Sequence, residues 1–298
     1  MLILVTGASG QLGKSIKKLI KNTKIKHDFV FATRNHLDLS YLEDIKSYFK
    51  DSKFDLIINC AAYTKVDKAE LDQKQANLIN HLAVKKLAEI AKSNNIKLIH
   101  ISTDFVFNGL KNKLYFESDN TSPLNVYGET KLAGERAILS IMKINAIIIR
   151  TSWVYSEYGN NFVDTIMRLI QKGNDLNIVS DQIGTPTYAG DLGQVILNII
   201  KSDKFNLSDQ ASEIYHYSNE GECSWYDFAK EIANIAEIKC SINPINTKNY
   251  PTDAKRPKHV LLSKEKIIKE FDLKINFWTD SLRNCMKNLP TASSLNKD

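Results

Sequence analysis

The first thirteen residues narrow the choice of fold more than any other stretch of the chain. Met1-Leu2-Ile3-Leu4-Val5-Thr6 is a short apolar run, and Gly7-Ala8-Ser9-Gly10-Gln11-Leu12-Gly13 follows it without a gap. The run reads as a strand covered on both faces, with a helix opening after the glycines. Glycine admits positive φ and lets backbone come close to a ligand. The helix that follows offers unpaired N–H groups and the positive end of its dipole. Taken alone, Gly7, Gly10 and Gly13 mark a tight strand-to-helix turn. Placed after the first strand, they stand where a Rossmann-type sheet receives the pyrophosphate of a dinucleotide. The same residues fall one change short of a P-loop, since Gly13-Lys14-Ser15 would complete one if Ala8 were Gly. Lys14 lies on a basic helix face, and Asp55 precedes its strand instead of ending it, so phosphoryl transfer ranks below dinucleotide binding.

Apolar β-branched runs then alternate with helical patterns, the mark of parallel strands joined by crossover helices. The expected strands are 2–6, 29–33, 56–60, 97–102 and 146–150. Ser40-Tyr41-Leu42-Glu43 has the form of a capping box for the second helix, and Ala76, Ile79, Ala83, Leu87 and Ile90 predict one long helix over 66–94. The fold class is therefore α/β, a Rossmann-type doubly wound parallel sheet with a smaller C-terminal α/β substrate lobe. Residues 1–158 form the expected dinucleotide-binding domain and 159–290 the substrate lobe, with the chain crossing between lobes; 291–298 is read as a mobile tail and 206–210 as a mobile loop. The lobe is expected to hold helices at 162–172 and 188–200, a Gly/Pro loop at Gly184-Thr185-Pro186-Thr187, a strand near Ile214, and a helix opened by Ser224-Trp225-Tyr226-Asp227. Trp225 and Trp278 read as packing residues.

Composition excludes more than it selects. With 40 basic and 34 acidic residues the chain carries a net charge of +6. Lys14, Lys17, Lys18 and Lys21 fit a solvated helix face, and no basic patch interleaved with aromatics argues for a nucleic-acid partner. No stretch approaches the roughly 20 apolar residues of a membrane span, and no leader precedes the first strand, so a cytoplasmic protein with no membrane partner is expected. Cys60, Cys223, Cys240 and Cys285 are scattered and read as thiols, and the six histidines lack metal-ligand spacing. His100, inside a strand, reads as a satisfied core residue.

Two further segments carry chemistry. The second strand ends Ala32-Thr33-Arg34-Asn35, without the acid that would accept hydrogen bonds from both ribose hydroxyls of NAD. Arg34 in its place suits a ribose 2′-phosphate, so NADPH is expected to serve at least as well as NADH; the alternative for Arg34 is a solvated turn residue. The fourth strand ends Ile101-Ser102-Thr103-Asp104, and Tyr127-Gly128-Glu129-Thr130-Lys131 begins a later helix. Spacing i, i+4 sets Tyr127 and Lys131 on one helix face. An ammonium there, with an oxidised nicotinamide, would lower a phenol of ordinary pKa near 10 toward the working range.

The glycine turn, a hydroxyl residue ending the fourth strand and Tyr-x-x-x-Lys together resemble the extended, sugar-nucleotide branch of the short-chain dehydrogenase/reductase superfamily. Within it the chain is similar over nearly its whole length to the dTDP-4-dehydrorhamnose reductase family. The motifs are GASGQLG (7–13), NCAAYTKVDKAE (59–70), STDFVFNG (102–109), YGETKLAGE (127–135), RTSWVY (150–155), Asn161-Phe162, SDQIGTPTYAGDLG (180–193) and Arg256-Pro257. The resemblance implies NAD(P)H-dependent reduction of a 4-keto sugar nucleotide, a dTDP-sugar being the small-molecule partner. It places Gly10, Gln11 and Leu12 at the pyrophosphate, Asp38 and Leu39 at the adenine, and Ala62, Tyr63 and Thr64 at the nicotinamide side. Tyr127 would donate the proton, Lys131 bind the nicotinamide ribose, and Thr103 hydrogen-bond the reacting oxygen; Asp104 and Trp153 match sugar-nucleotide contacts. Arg256 is inferred to meet a phosphate, a surface salt bridge being the alternative. Lys258-His259-Val260 departs from the family, and no motif matches the magnesium site that some relatives hold at a dimer interface, so no metal ligand is assigned and the chain is left as monomer or homodimer. Competing readings are a sugar-nucleotide epimerase or dehydratase using the same Tyr and Lys, and a non-catalytic cofactor-binding subunit.

Overall fold

Leu2–Thr6 (β1) lies second from one edge of a six-stranded sheet in the computed structural model, which describes residues 1–23, 25–50, 53–206 and 209–289. The expected tail at 291–298 and the middle of the expected loop at 206–210 fall outside the described residues. Asp28–Ala32 (β2) forms that edge, and Leu56–Asn59 (β3), Lys97–Thr103 (β4), Ala146–Thr151 (β5) and Glu213–His216 follow on the other side of β1, every pairing parallel. The period of two sends alternate residues to two cores. Ile3 and Val5 meet Leu12, Ile16 and Ile196 on one face; Leu4, between them, meets Ile45, Leu87 and Ile138 on the other. The chain runs outward from β1 to β2 and returns to β3 on the opposite side, so the strand order reverses between β1 and β3. Their carboxyl ends frame the crevice in which an open α/β sheet binds ligands.

Several elements differ from expectation. The helix after β2 (α2, Leu42–Tyr48) is capped at Tyr41 with no side-chain bond, because the Ser40 hydroxyl is taken by Asp38 at 2.6 Å. The long helix expected over 66–94 is broken into Val66–Leu71, Gln73–Asn77, a π turn at Leu78–Leu82 and Ala83–Ser93. Asp72, with φ −117° and ψ 49°, interrupts it, and the π turn re-aims Asn80. The helix and strand expected inside the substrate lobe return to the sheet instead. Ala189–Lys201 packs Leu192, Val195, Ile196 and Ile199 into the core beneath the first helix (α1, Gln11–Asn22), and Glu213–His216 pairs with β5.

The smaller lobe has its own core, in which Val163, Ile166 and Ile170 of Phe162–Gln171 meet Phe228, Ile232, Trp278 and Leu282. Trp225–Ile235 opens with the expected capping box, Asp227 N donating to Ser224 Oγ at 3.0 Å and Ser224 N to Asp227 Oδ2 at 3.0 Å. Among the described residues no helix is long and apolar enough to cross a membrane, and the four cysteines are free.

Candidate active site

The glycine turn sits at the mouth of the crevice. Gly7 has φ +63°, and a Cβ there would lie 2.7 Å from the backbone nitrogen of Ala61, just beyond β3. A Cβ on Gly13 would come 2.6 Å from Ala8 Cα and 2.7 Å from the Gly7 carbonyl. The turn is thus closed on itself by contacts that only glycine allows, and Gly10 N-caps α1 with no side chain or acidic residue competing for the first-turn N–H groups. Leu12 is buried in the sheet core, leaving its backbone alone to face a ligand. Gln11 turns its side chain across the lobes, donating to the Val154 carbonyl at 3.2 Å and accepting from Ser156 Oγ at 2.9 Å.

At the end of β2, Arg34 is largely exposed and its Nε donates to Asp38 Oδ2 at 2.9 Å. Burial would raise the Asp38 carboxyl, yet the Ser40 hydrogen bonds and the Arg34 guanidinium hold it below its ordinary value. Leu39 is buried. The loop after β3 is fixed by a residue that the sequence did not single out. Asn80 accepts from Tyr63 N at 2.8 Å, donates to Tyr63 O at 3.0 Å and donates to Thr130 Oγ1 at 3.2 Å. It therefore ties the Ala62-Tyr63-Thr64 segment to the helix Val126–Ile141, which carries Tyr127 and Lys131. Its place in a π turn was the one available signal, and that turn cannot be read from periodicity.

Val126–Ile141 is anchored at its start. Asn125 caps it, accepting from Gly128 N at 2.8 Å, and Glu70 accepts from Val126 N at 2.9 Å. Gly128 packs against the Asp104–Val106 turn so closely that a Cβ would meet the Phe105 carbonyl at 2.3 Å. This contact brings Tyr127 to the end of β4, where its ring meets Phe105 edge-on at 5.5 Å. Burial pushes the Tyr127 phenol up to about 12, with the Thr103 hydroxyl opposing. Lys131, one turn further along the helix, is bound to β4. Its Nζ donates to the Ile101 carbonyl at 2.6 Å and lies 3.3 Å from His100 Nε2. Burial pushes the Lys131 amine down to about 8, with Glu135 and Cys60 opposing.

Thr103 Oγ1 donates to Asp104 Oδ1 at 3.1 Å, and burial pushes the Asp104 carboxyl up to about 7 against that bond. Trp153 occupies the left-handed region at φ +46° and stacks on Trp225, centroids 3.6 Å apart and planes 10° from parallel. Gly184 backs it, since a Cβ there would meet the Trp153 ring at 2.7 Å. Arg256 binds Asp67 in bidentate fashion, at 2.9 and 2.6 Å, the ion pair that was its alternative reading. Among the described residues no group of three His, Cys, Asp or Glu side chains could hold a metal ion.

Residues 1–291 match the family described as RmlD substrate binding domain. The chain is 40% identical over 289 residues to dTDP-4-dehydrorhamnose reductase of Aggregatibacter actinomycetemcomitans, covering 95% of this chain and 97% of that protein. It is 37% identical to dTDP-4-dehydrorhamnose reductase of Escherichia coli, covering 99% and 100%. The crystal structure of dTDP-4-dehydrorhamnose reductase from Bacillus anthracis in complex with NADP superposes with a TM-score of 0.89 at 34% identity, covering 96% of this chain and 98% of that one. Similarity of this extent takes in both lobes as well as the glycine turn, and the chain belongs to the dTDP-4-dehydrorhamnose reductase family.

Proposed function

We propose that the protein reduces the 4-keto group of dTDP-4-dehydro-β-L-rhamnose to dTDP-L-rhamnose, using NADPH and accepting NADH. The observation that carries this reading is the packing of the Tyr127 turn on the end of β4, with Gly128 against the Phe105 carbonyl and the Tyr127 ring edge-on to Phe105, two residues from Thr103 and one helical turn from Lys131. The names of the full-length relatives support the substrate. The turn at Gly7–Gly13, closed by contacts a Cβ would abolish, fits a dinucleotide pyrophosphate. Gly10, Gln11 and Leu12 would hold it through backbone, Asp38 and Leu39 would border the adenine, and Ala62, Tyr63 and Thr64 would line the nicotinamide side. When bound, the nicotinamide supplies the hydride.

The rest is done by the chain's own side chains. Tyr127, kept protonated by burial, donates its proton to the sugar O4 as negative charge develops there. Thr103, whose one hydroxyl proton goes to Asp104 at 3.1 Å without substrate, turns that proton to the same oxygen when the sugar is bound. Lys131 holds the nicotinamide ribose and, when charged, stabilises the phenolate left on Tyr127. Trp153, fixed by Trp225 and Gly184, offers a flat apolar face to the sugar nucleotide. Arg256 and Asp67 join the loop before Pro257 to the helix Val66–Leu71, and a phosphate contact by Arg256 would act from that ion pair.

The test is NADPH oxidation with a panel of dTDP- and UDP-linked 4-keto sugars. One NADPH consumed per dTDP-4-dehydrorhamnose is expected, whereas an epimerase turns over without net consumption. Turnover of none of the panel, together with stoichiometric capture of an enzyme partner, would favour the non-catalytic subunit. Arg34→Ala is expected to lower kcat/KM for NADPH by about tenfold and leave that for NADH nearly unchanged. An equal loss with both cofactors would remove Arg34 from the 2′-phosphate.

A further inference from the structure

Four side chains form a buried chain of hydrogen bonds across the carboxyl ends of three strands. Thr6 Oγ1 of β1 donates to Asn59 Oδ1 of β3 at 2.6 Å, and Asn59 Nδ2 lies 3.0 Å from His100 Nδ1 of β4. His100 Nε2 then lies 3.3 Å from Lys131 Nζ. Thr6, Asn59, His100 and Lys131 are each at most 1% exposed, so none of these groups can turn to water for a partner.

The proton positions along this chain are constrained by the backbone. Ala61 N, which can only donate, points at the same Asn59 oxygen at 3.3 Å. That fixes the Asn59 amide with its NH₂ toward the imidazole, so His100 Nδ1 accepts. A neutral imidazole has one N–H, which then resides on Nε2 and faces Lys131. The Lys131 amine donates to the Ile101 carbonyl, and the hydrogen bond from His100 is satisfied only when Nζ has a free lone pair. We propose that His100 is a positioning residue for Lys131: held by Thr6 and Asn59 with Nε2–H directed at Nζ, it disfavours the ammonium form and sets the pH at which Lys131 charges.

The other charged or titratable groups facing Lys131 are Cys60 from the end of β3 and Glu135 from its own helix. Glu135 is already engaged by Arg150 of β5. Burial and Lys131 hold the His100 imidazole well below its ordinary value, in keeping with a ring that stays neutral. The inference rests on the reductase reading for its consequence, since Lys131 is the group that reading places beside Tyr127; its test does not depend on activity.

In ¹⁵N-histidine-labelled protein, the His100 resonances should report the Nε2–H tautomer throughout pH 6–9. An Nδ1–H tautomer or an imidazolium at neutral pH would overturn the proposal. In ¹³C-lysine-labelled protein the Lys131 Cε signal, assigned by its absence in Lys131→Arg, should titrate about one pH unit higher in His100→Gln, whose amide oxygen can accept from the ammonium. A Lys131 midpoint that His100→Gln leaves in place would also overturn it. Should that variant not fold, the wild-type tautomer still decides. A protein with the expected tautomer and no NADPH turnover would refute the reductase reading and leave the His100 assignment standing.

Discussion

Replacing Tyr127 with Phe should lower kcat by about 10²–10⁴-fold, the span usual for a lost general acid, with the Kd for NADPH changed by less than about threefold. The contrast follows from how the residue is held. The ring keeps its edge contact with Phe105, and Gly128 keeps the helix against the Asp104–Val106 turn, so the site stays assembled without the hydroxyl. Thr103 retains Asp104 as a partner. What disappears is a proton. With the phenol pushed up to about 12, Tyr127 is protonated across the neutral range, the form that reduction of a ketone consumes. The phenolate it leaves must then be stabilised, which is the task assigned to Lys131. Absorbance at the nicotinamide band measures kcat, and quenching of protein fluorescence measures Kd. Turnover within tenfold of wild type would move the donor role to Asp104, whose carboxyl burial pushes up to about 7.

The parts of the site that were legible in the sequence are those written locally. The Gly7–Gly13 turn, the hydroxyl ending β4 and the Tyr127–Lys131 pair each lie within one element and its end, and the continuous apolar runs of β1, β3, β4 and β5 betray strands covered on both faces. The rest depends on residues far apart in the chain. Asn80 reaches Tyr63 across 17 positions and Arg256 reaches Asp67 across 189, and neither partner marks the other by spacing. Helical periodicity in Ala189–Lys201 is plain, but it does not say which layer the helix covers; its stripe of Leu192, Val195, Ile196 and Ile199 fits the sheet beside α1 as well as it would have fitted the lobe. The partners of Lys131 are hidden from the sequence for a related reason. Helical spacing places Lys131 on the same face, yet its amine is drawn to the Ile101 carbonyl and His100, partners supplied by β4. Ser40 shows the same competition at small scale, where Asp38 two residues away takes the hydroxyl that a capping box needs.

Arg150→Leu should destabilise the fold by about 3–5 kcal/mol, the cost of leaving a buried carboxylate without its counter-charge. Arg150 and Glu135 have side chains only 3% and 1% exposed. The guanidinium meets the carboxylate at 2.7, 3.0 and 3.2 Å, Ser102 donates to the same carboxylate, and Arg150 Nη1 lies 3.4 Å from His216 Nε2. His216 in turn bonds the Tyr115 carbonyl through Nδ1 at 3.1 Å, so its Nε2 is the acceptor, and burial together with Arg150 pushes the imidazole down to about 3. One cation therefore joins β5, the helix Val126–Ile141, the edge strand Glu213–His216 and the segment around Phe107, whose ring lies 5.1 Å from the guanidinium carbon. Because much of the loss comes from the stranded carboxylate, the double variant Glu135→Leu with Arg150→Leu should recover most of it, to within about 1–2 kcal/mol of wild type. Urea midpoints at constant m measure both. Equal losses for the single and double variants would mean that packing around Phe107, not the buried charge, holds these strands together. The double variant also removes Glu135, the carboxylate that favours the charged Lys131, so that amine should titrate lower than in wild type, the opposite direction to His100→Gln.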